Sequence, residues 1–265
     1  MDDNRMNRLG GTCAILVGVS YVVVTTFFVL DPTQFIPHEN KDELWRALAA
    51  DGTPRVLYYW GYALGAVFAF GAIPAIADLV RERHEGWVRW TTGLAYLSFG
   101  VTAVETFRLV TATPLWAGDY AGGDPTVQTA IVTTDLLLRL DPATWLRFGA
   151  LGPWFLVVNI LALRHGLLRR PLAYLGIALG VLTSTTAVGV ALGIGPMVLV
   201  SAILGGALAA PIWFIWVGLV LRRGVPRTPD AGRGPATAGP ATAGAVTAGA
   251  VTAAQPARAE EAAGA

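Results

Sequence analysis

The sequence predicts an all-α protein: a polytopic transmembrane helix bundle of six spans, with short extracytoplasmic helices and a disordered C-terminal tail. Three observations predict it. Of the 265 residues, 54% are hydrophobic and only 14% charged, about half the charged share of an ordinary soluble domain. The apolar residues come in blocks of about twenty, the helix length that crosses a hydrocarbon core of ~30 Å. The arginines alternate between successive loops, as six spans require and five or seven do not.

The first span covers about Gly10 to Leu30, behind a short N-terminus (residues 1–9) that carries Arg5 and Arg8. It looks like a signal sequence, but no small-x-small cleavage site follows; Phe27, Phe28 and Leu30 run straight into Asp31-Pro32. The segment therefore reads as an uncleaved span. The others cover about Val56–Val80, Val88–Thr113, Ala143–Leu163, Leu172–Gly195 and Val198–Leu221. Together they define a transmembrane domain over residues 10–223.

Two loops between spans are long enough to fold. In the first, Asn40 and Glu43 stand at the N-cap and N3 places of a capping box. They open a short helix through Ala50 that stops near Gly52 and Pro54. In the second, Asp124-Pro125 opens a segment with Val127, Ala130, Ile131, Leu137 and Leu138 at helical spacing. It ends at Asp141-Pro142, where Asp141 can cap the fourth span. The tail (residues 224–265) repeats Pro-Ala-Thr-Ala-Gly from Pro235 and from Pro240, then Ala-Val-Thr-Ala from Ala245 and from Ala250. It has no large side chains to offset the entropy of ordering it, so disorder is expected.

Orientation follows from the basic residues. One side holds Arg5, Arg8, Arg81, Arg83, Arg89, Arg164, Arg169, Arg170, Arg222, Arg223, Arg227, Arg233 and Arg258; the other holds Lys41, Arg46, Arg55 and Arg139. The positive-inside rule puts both termini in the cytoplasm of an inner (plasma) membrane protein. A single lysine among nineteen basic residues, with abundant Ala, Gly and Pro, points to a GC-rich bacterial genome. The net charge of +1 gives no field for nucleic acid.

Ionisable residues are costly inside lipid and mark candidate sites. Glu105 and Arg108 fall in the third span, three residues apart and on one face. Arg147 falls in the fourth span. Glu105 lies about 25 Å along its helix and Arg147 about one turn into its own, so all three belong to the outer half of the bundle. Two readings compete. One is a polar site that binds an anionic group or relays a proton; the other is a structural ion pair with snorkelling arginines. In the fifth span, Thr183, Ser184, Thr185 and Thr186 either bond their own backbone four residues back or line a polar cavity. Asp78 beside Arg81 reads as an interfacial helix end.

Small residues at four-residue spacing mark close helix packing: Gly61 and Gly65, Gly176 and Gly180, Gly189 and Gly193, and Ser201, Gly205 and Ala209. They also offer faces for a membrane-protein partner or a homo-oligomer within the lipid bilayer. Pro74, Pro153 and Pro211 are expected to kink their spans. Tyr58, Tyr59, Trp60, Trp87, Trp90, Trp116 and Trp145 sit where interfacial belts belong, whereas Trp213 and Trp216 lie too deep for one.

Several chemistries lack their residues. His38, His84 and His165 are all in loops, so no metal site is expected. Cys13 is the only cysteine. There is no phosphate-binding glycine loop and no serine–histidine pair within the membrane. No cofactor and no catalytic residue is assigned.

Arg8-Leu-Gly-Gly at the start of span one, Leu44-Trp45-Arg46 before span two, and the exit from Ile212 to Arg222 carry a resemblance. Over Arg5 to Arg223 the chain resembles a bacterial six-span integral membrane protein family of unknown function. The resemblance implies a location and a fold and transfers no site residue. The favoured expectation is a structural or interaction role. The alternative is a small-molecule or proton-linked transporter with its site at Glu105, Arg108 and Arg147, and an intramembrane enzyme comes third. A transporter should hold a cavity lined by Glu105, Arg147 and the span-five hydroxyls; an interaction protein should be a filled bundle.

Overall fold

The computed structural model describes residues 3–36, 40–137, 140–141 and 145–224. The tail repeat, His38, Leu138, Arg139 and Pro142 lie outside the described residues. Among those described, every regular element is helical. In chain order they are α1 (Asp3–Leu30), a 3-10 turn (Pro32–Phe35), α2 (Lys41–Ala50), α3 (Thr53–Asp78), a 3-10 turn (Arg81–Arg83), α4 (Glu85–Ala121) and α5 (Pro125–Leu137). A π turn (Trp145–Gly149) then leads into α6 (Leu151–Arg164), followed by α7 (Arg170–Ala191) and α8 (Gly195–Ala202). A π segment (Ile203–Ala209) joins α8 to α9 (Ala210–Arg223).

Five helical runs are long and apolar enough to cross a membrane: Met6–Leu30, Thr53–Asp78, Trp145–Arg164, Arg170–Ala191 and Gly195–Arg223. They match five of the six expected spans to within a few residues. The third expected span lies in α4, which is longer and more polar. It was expected to stop near Thr113, but it runs through Pro114 to Ala121. A proline inside a helix forfeits one backbone hydrogen bond, and packing beyond it compensates. Trp45 and Leu48 of α2, Ala117 and Tyr120 of α4, and Ile131 of α5 form a small separate core. The Tyr120 hydroxyl donates to Asp42, and Gln128 Nε2 donates to the Tyr120 carbonyl at 2.9 Å. Trp116 packs edge-on against Trp45, 6.1 Å away, as part of this cap.

Neighbouring helices run antiparallel, and named contacts fix their register. Gly10 lies against Ala75 and Gly61 against Val24, setting α1 on α3. Phe107 meets Trp60 and Tyr96 meets Phe70, setting α3 on α4. Gly152 lies against Ser184 and Gly176 against Asn159, setting α6 on α7. Between α1 and α9 the approach is closest at Gly11 and Gly218. A Cβ on Gly11 would stand 2.7 Å from the Gly218 carbonyl oxygen, and one on Gly218 would stand 2.6 Å from the Gly11 oxygen. Only glycine permits that spacing. The glycine pairs read from the sequence thus pack largely against the chain's own helices.

Trp154, Phe155, Trp213 and Phe214 are fully buried at the centre. Trp213 is deep for a reason: its indole N–H donates to Asn159 Oδ1 at 3.1 Å, while Asn159 Nδ2 donates to the Phe155 carbonyl at 2.8 Å. A buried polar side chain must be satisfied, and here each group satisfies the other. One local detail differs from expectation. Asn40 does precede α2, but its side chain makes no cap bond to the backbone and reaches Glu43 Oε2 at 3.2 Å.

Candidate functional site

Glu105 projects from the middle of α4 and is buried, and the side chain of Arg147 enters from the π turn. Arg147 Nη2 stands 3.3 Å from Glu105 Oε2, with side-chain exposures of 19% and 8%. The pair joins α4 to the π turn that leads into α6. Arg108, one turn further along α4, is exposed. Of the three charges read from the sequence, the structure therefore brings Glu105 and Arg147 together in an ion pair.

Arg147 is fixed by its backbone as well as its charge. Its N–H donates to Asp141 Oδ2 at 2.8 Å, the capping role expected of Asp141. Its carbonyl accepts from Ser98 Oγ at 2.6 Å. Its guanidinium carbon lies 5.8 Å from the centre of the Tyr62 ring, within cation–π range. Tyr62 in turn meets Tyr58 at 5.1 Å and Tyr21 at 6.0 Å. Even so, Arg147 Nε and Glu105 Oε2 are buried and make no hydrogen bond.

Beside this pair lies a cavity of about 60 Å³. Arg147 and Phe148 of the π turn line one part, Gly205 and Gly206 of the π segment another. Helices rarely adopt π geometry, and where they do it often marks a functional site. The hydroxyls of Ser98, Thr102, Thr183, Thr186 and Ser201 face the cavity, as do Tyr21 and Tyr62. Phe99, Leu151, Phe155 and Leu179 supply apolar wall. Among its described lining residues, Arg147 is the one formal charge; Glu105 stands behind it, outside the lining. A smaller space of about 10 Å³ adjoins, sharing Tyr21, Tyr62, Phe99 and Thr102.

The hydroxyl run of α7 divides. Thr183 and Thr186 line the cavity and also bond back to the Leu179 and Leu182 carbonyls at 2.6 and 3.0 Å. Thr186 and Ser201 are 2.8 Å apart. Ser184 packs toward Gly152 and bonds the Gly180 carbonyl, and Thr185 is half-buried away from the cavity lining. Thr183 and Thr186 thus combine the two arrangements, and Ser184 shows the backbone bond alone.

Some residues were not visible as site members in the sequence. Tyr62 was hidden just beyond an aromatic cluster assigned to a belt, and Ser98 and Thr102 among the ordinary threonines and serines of α4. A second ion pair was missed altogether. Arg55 Nε meets Asp31 Oδ2 at 2.5 Å, and Arg55 Nη2 donates to Thr33 Oγ1 at 2.6 Å. Asp31 is buried and its Oδ1 accepts from the Thr33 N–H at 2.9 Å. This cluster ties the end of α1 to the start of α3. Among the described residues, no three His, Cys, Asp or Glu side chains come close enough to hold a metal ion; His84 and His165 are exposed.

The described residues form an antiparallel helical bundle with five helical runs long and apolar enough to cross a membrane. The chain belongs to the family described as Domain of unknown function (DUF4386), whose profile matches residues 11–218. That match takes in every residue lining the large cavity, from Tyr21 to Ala210. No curated protein and no solved structure matches the chain.

Proposed function

We propose that this protein is a six-span bacterial inner-membrane protein with both termini cytoplasmic, and that it binds and moves a small molecule through the cavity beside Arg147. One observation carries the reading: the bundle is not filled at its polar centre. A purely structural bundle would close around the Glu105–Arg147 pair, because interiors pack densely and empty space forfeits contacts. Instead about 60 Å³ of space remains there, mostly apolar, with one cation and a few hydroxyls converging on it. Two π segments border it. In this reading α4 is the sixth span, with Glu105 masked by Arg147.

The test begins with a deletion strain screened across many growth conditions, followed by complementation. Gly206 lies on the cavity lining, and a Cβ there would meet nothing within 4 Å, so Gly206→Leu is the variant chosen to narrow the cavity. Gly206→Leu should accumulate like the wild type and fail to complement. Full complementation by that variant would mean that the cavity is unused, and would return the protein to a structural or interaction role.

A further inference from the structure

Resting on the cavity as a binding site, the geometry points to its ligand class: we infer that it takes a monoanionic amphiphile, a carboxylate on an apolar body, which displaces Glu105 from Arg147 as Glu105 takes up a proton.

The guanidinium carries five N–H donors, few of which are spent. Nε is buried without a partner, and the contact to Glu105 is ionic at 3.3 Å without being a hydrogen bond. A planar guanidinium in that condition suits a carboxylate, which it can hold through two parallel hydrogen bonds. Glu105 already supplies one carboxylate, from behind the cavity wall. It occupies the cation in the way a ligand headgroup would, but with poorer geometry.

The cavity favours a single negative charge. The hydroxyls of Ser98, Thr102, Thr183 and Ser201 donate to backbone carbonyls. These four therefore turn lone pairs toward the cavity; Tyr21 and Tyr62 keep their hydroxyls on its lining, and Arg147 is its one formal charge among the described lining residues. Phe99, Leu151, Phe155 and Leu179 leave an apolar wall for the rest of the molecule.

A proton must accompany the exchange. Two carboxylates sharing one cation away from water cannot both stay ionised at modest cost. The other groups near Glu105 do not relieve it. Arg108 lies one turn along α4 and is exposed. Asp141 holds the Arg147 N–H, and Tyr62 presents its ring to the guanidinium. The balance is simple. The ligand carboxylate pairs with Arg147, the Glu105 carboxylate leaves it, and one proton from water forms the Glu105 O–H bond. No electron moves.

The test uses the full chain in phosphatidylcholine nanodiscs, with empty discs as the blank. Octanoate, octanol and octylamine are titrated by calorimetry in buffers of different ionisation heat. Octanoate should bind roughly tenfold tighter than either analogue, taking up about one proton per anion. Glu105→Gln should bind it more tightly still, with no proton uptake. Arg147→Gln should lose octanoate selectively, and Arg147→Lys should keep part of it. Repeating the titration with phosphatidylglycerol in the disc separates the two anion sources. Competition that depends on Arg147 would assign the site to a lipid headgroup, with the same exchange. Should Arg147→Gln not fold, the Glu105→Gln arm decides alone. Equal binding of octanol and octanoate, or proton uptake that survives Glu105→Gln, overturns the exchange but leaves the cavity as a binding site. Failure of all three probes on folded protein overturns both.

Discussion

At the scale of the residue, the ion pair between Glu105 and Arg147 dominates. Both partners are largely withdrawn from solvent, so removing one strands the other. Breaking a buried pair costs on the order of 3 kcal/mol. Glu105→Gln and Arg147→Ala should each lower the melting temperature in detergent. The double variant should lose less than the sum, since the second change removes a charge already stranded; additive losses would show that the pair contributes nothing as a pair. The two residues were legible in the sequence because charge is rare in apolar runs, though their mutual choice over Arg108 needed the fold. Asn159 was not legible. A single amide in Leu-Val-Val-Asn-Ile-Leu carries little signal, and its partner Trp213 lies 54 residues away.

At the scale of the element, helix starts and helix contacts can be separated experimentally. Asp124 Oδ1 accepts the N–H groups of Thr126 and Val127 at 2.8 and 3.3 Å. These backbone bonds, the Thr126 bond foremost, hold its carboxyl below the usual aspartate range. A lowered folded value means that the cap is fully present above the unfolded pKa, about 3.9, and is lost as pH falls through the lower folded value. Amide protection over the first turn of α5 should therefore hold down to about pH 4 and fall below it. Asp124→Ala should remove it at every pH, and protection that ignores both changes would dismiss the cap. Helix contacts make a sharper contrast. Gly11→Val forces a side chain into the Gly218 carbonyl, and overpacking of this kind costs about 1–3 kcal/mol. Gly93 has open space where its Cβ would go, so Gly93→Ala should be neutral or gain up to about 1 kcal/mol in helix propensity. Melting temperatures of the two variants check both. The contact glycines of α3 and α7 were legible from their spacing. Gly11 and Gly218 were not, since each is the lone small residue at its turn that meets the other helix.

At the scale of the whole molecule, the register gathers Arg8, Arg81, Arg164, Arg169, Arg170, Arg222 and Arg223 at one end, opposite the cap of α2 and α5. Cytoplasmic reporters fused after Arg83, Arg170 and Arg223 should be active and periplasmic ones silent, as the positive-inside rule requires. The reverse at any of these sites would break the six-span topology. Element positions were readable because bilayer thickness fixes the length of an apolar block. The cavity was not, because its lining comes from most of the long helices, and only Arg147 and the α7 hydroxyls stand out in a linear reading. The far end of α4 escaped for a related reason: Pro114 and polar neighbours interrupt the periodicity, while tertiary packing on α2 and α5 holds the helix together.

That continuity has a mechanical meaning. Tyr120 in the cap and Glu105 in the core ride on one helix, about 22 Å apart, so α4 is a lever with a load at each end. Pro114 lies between them as the compliant joint, where the ladder of backbone bonds has a missing rung. A push on the cap that the joint does not absorb arrives at the carboxylate holding Arg147, and a change in that carboxylate's grip is felt at the cap.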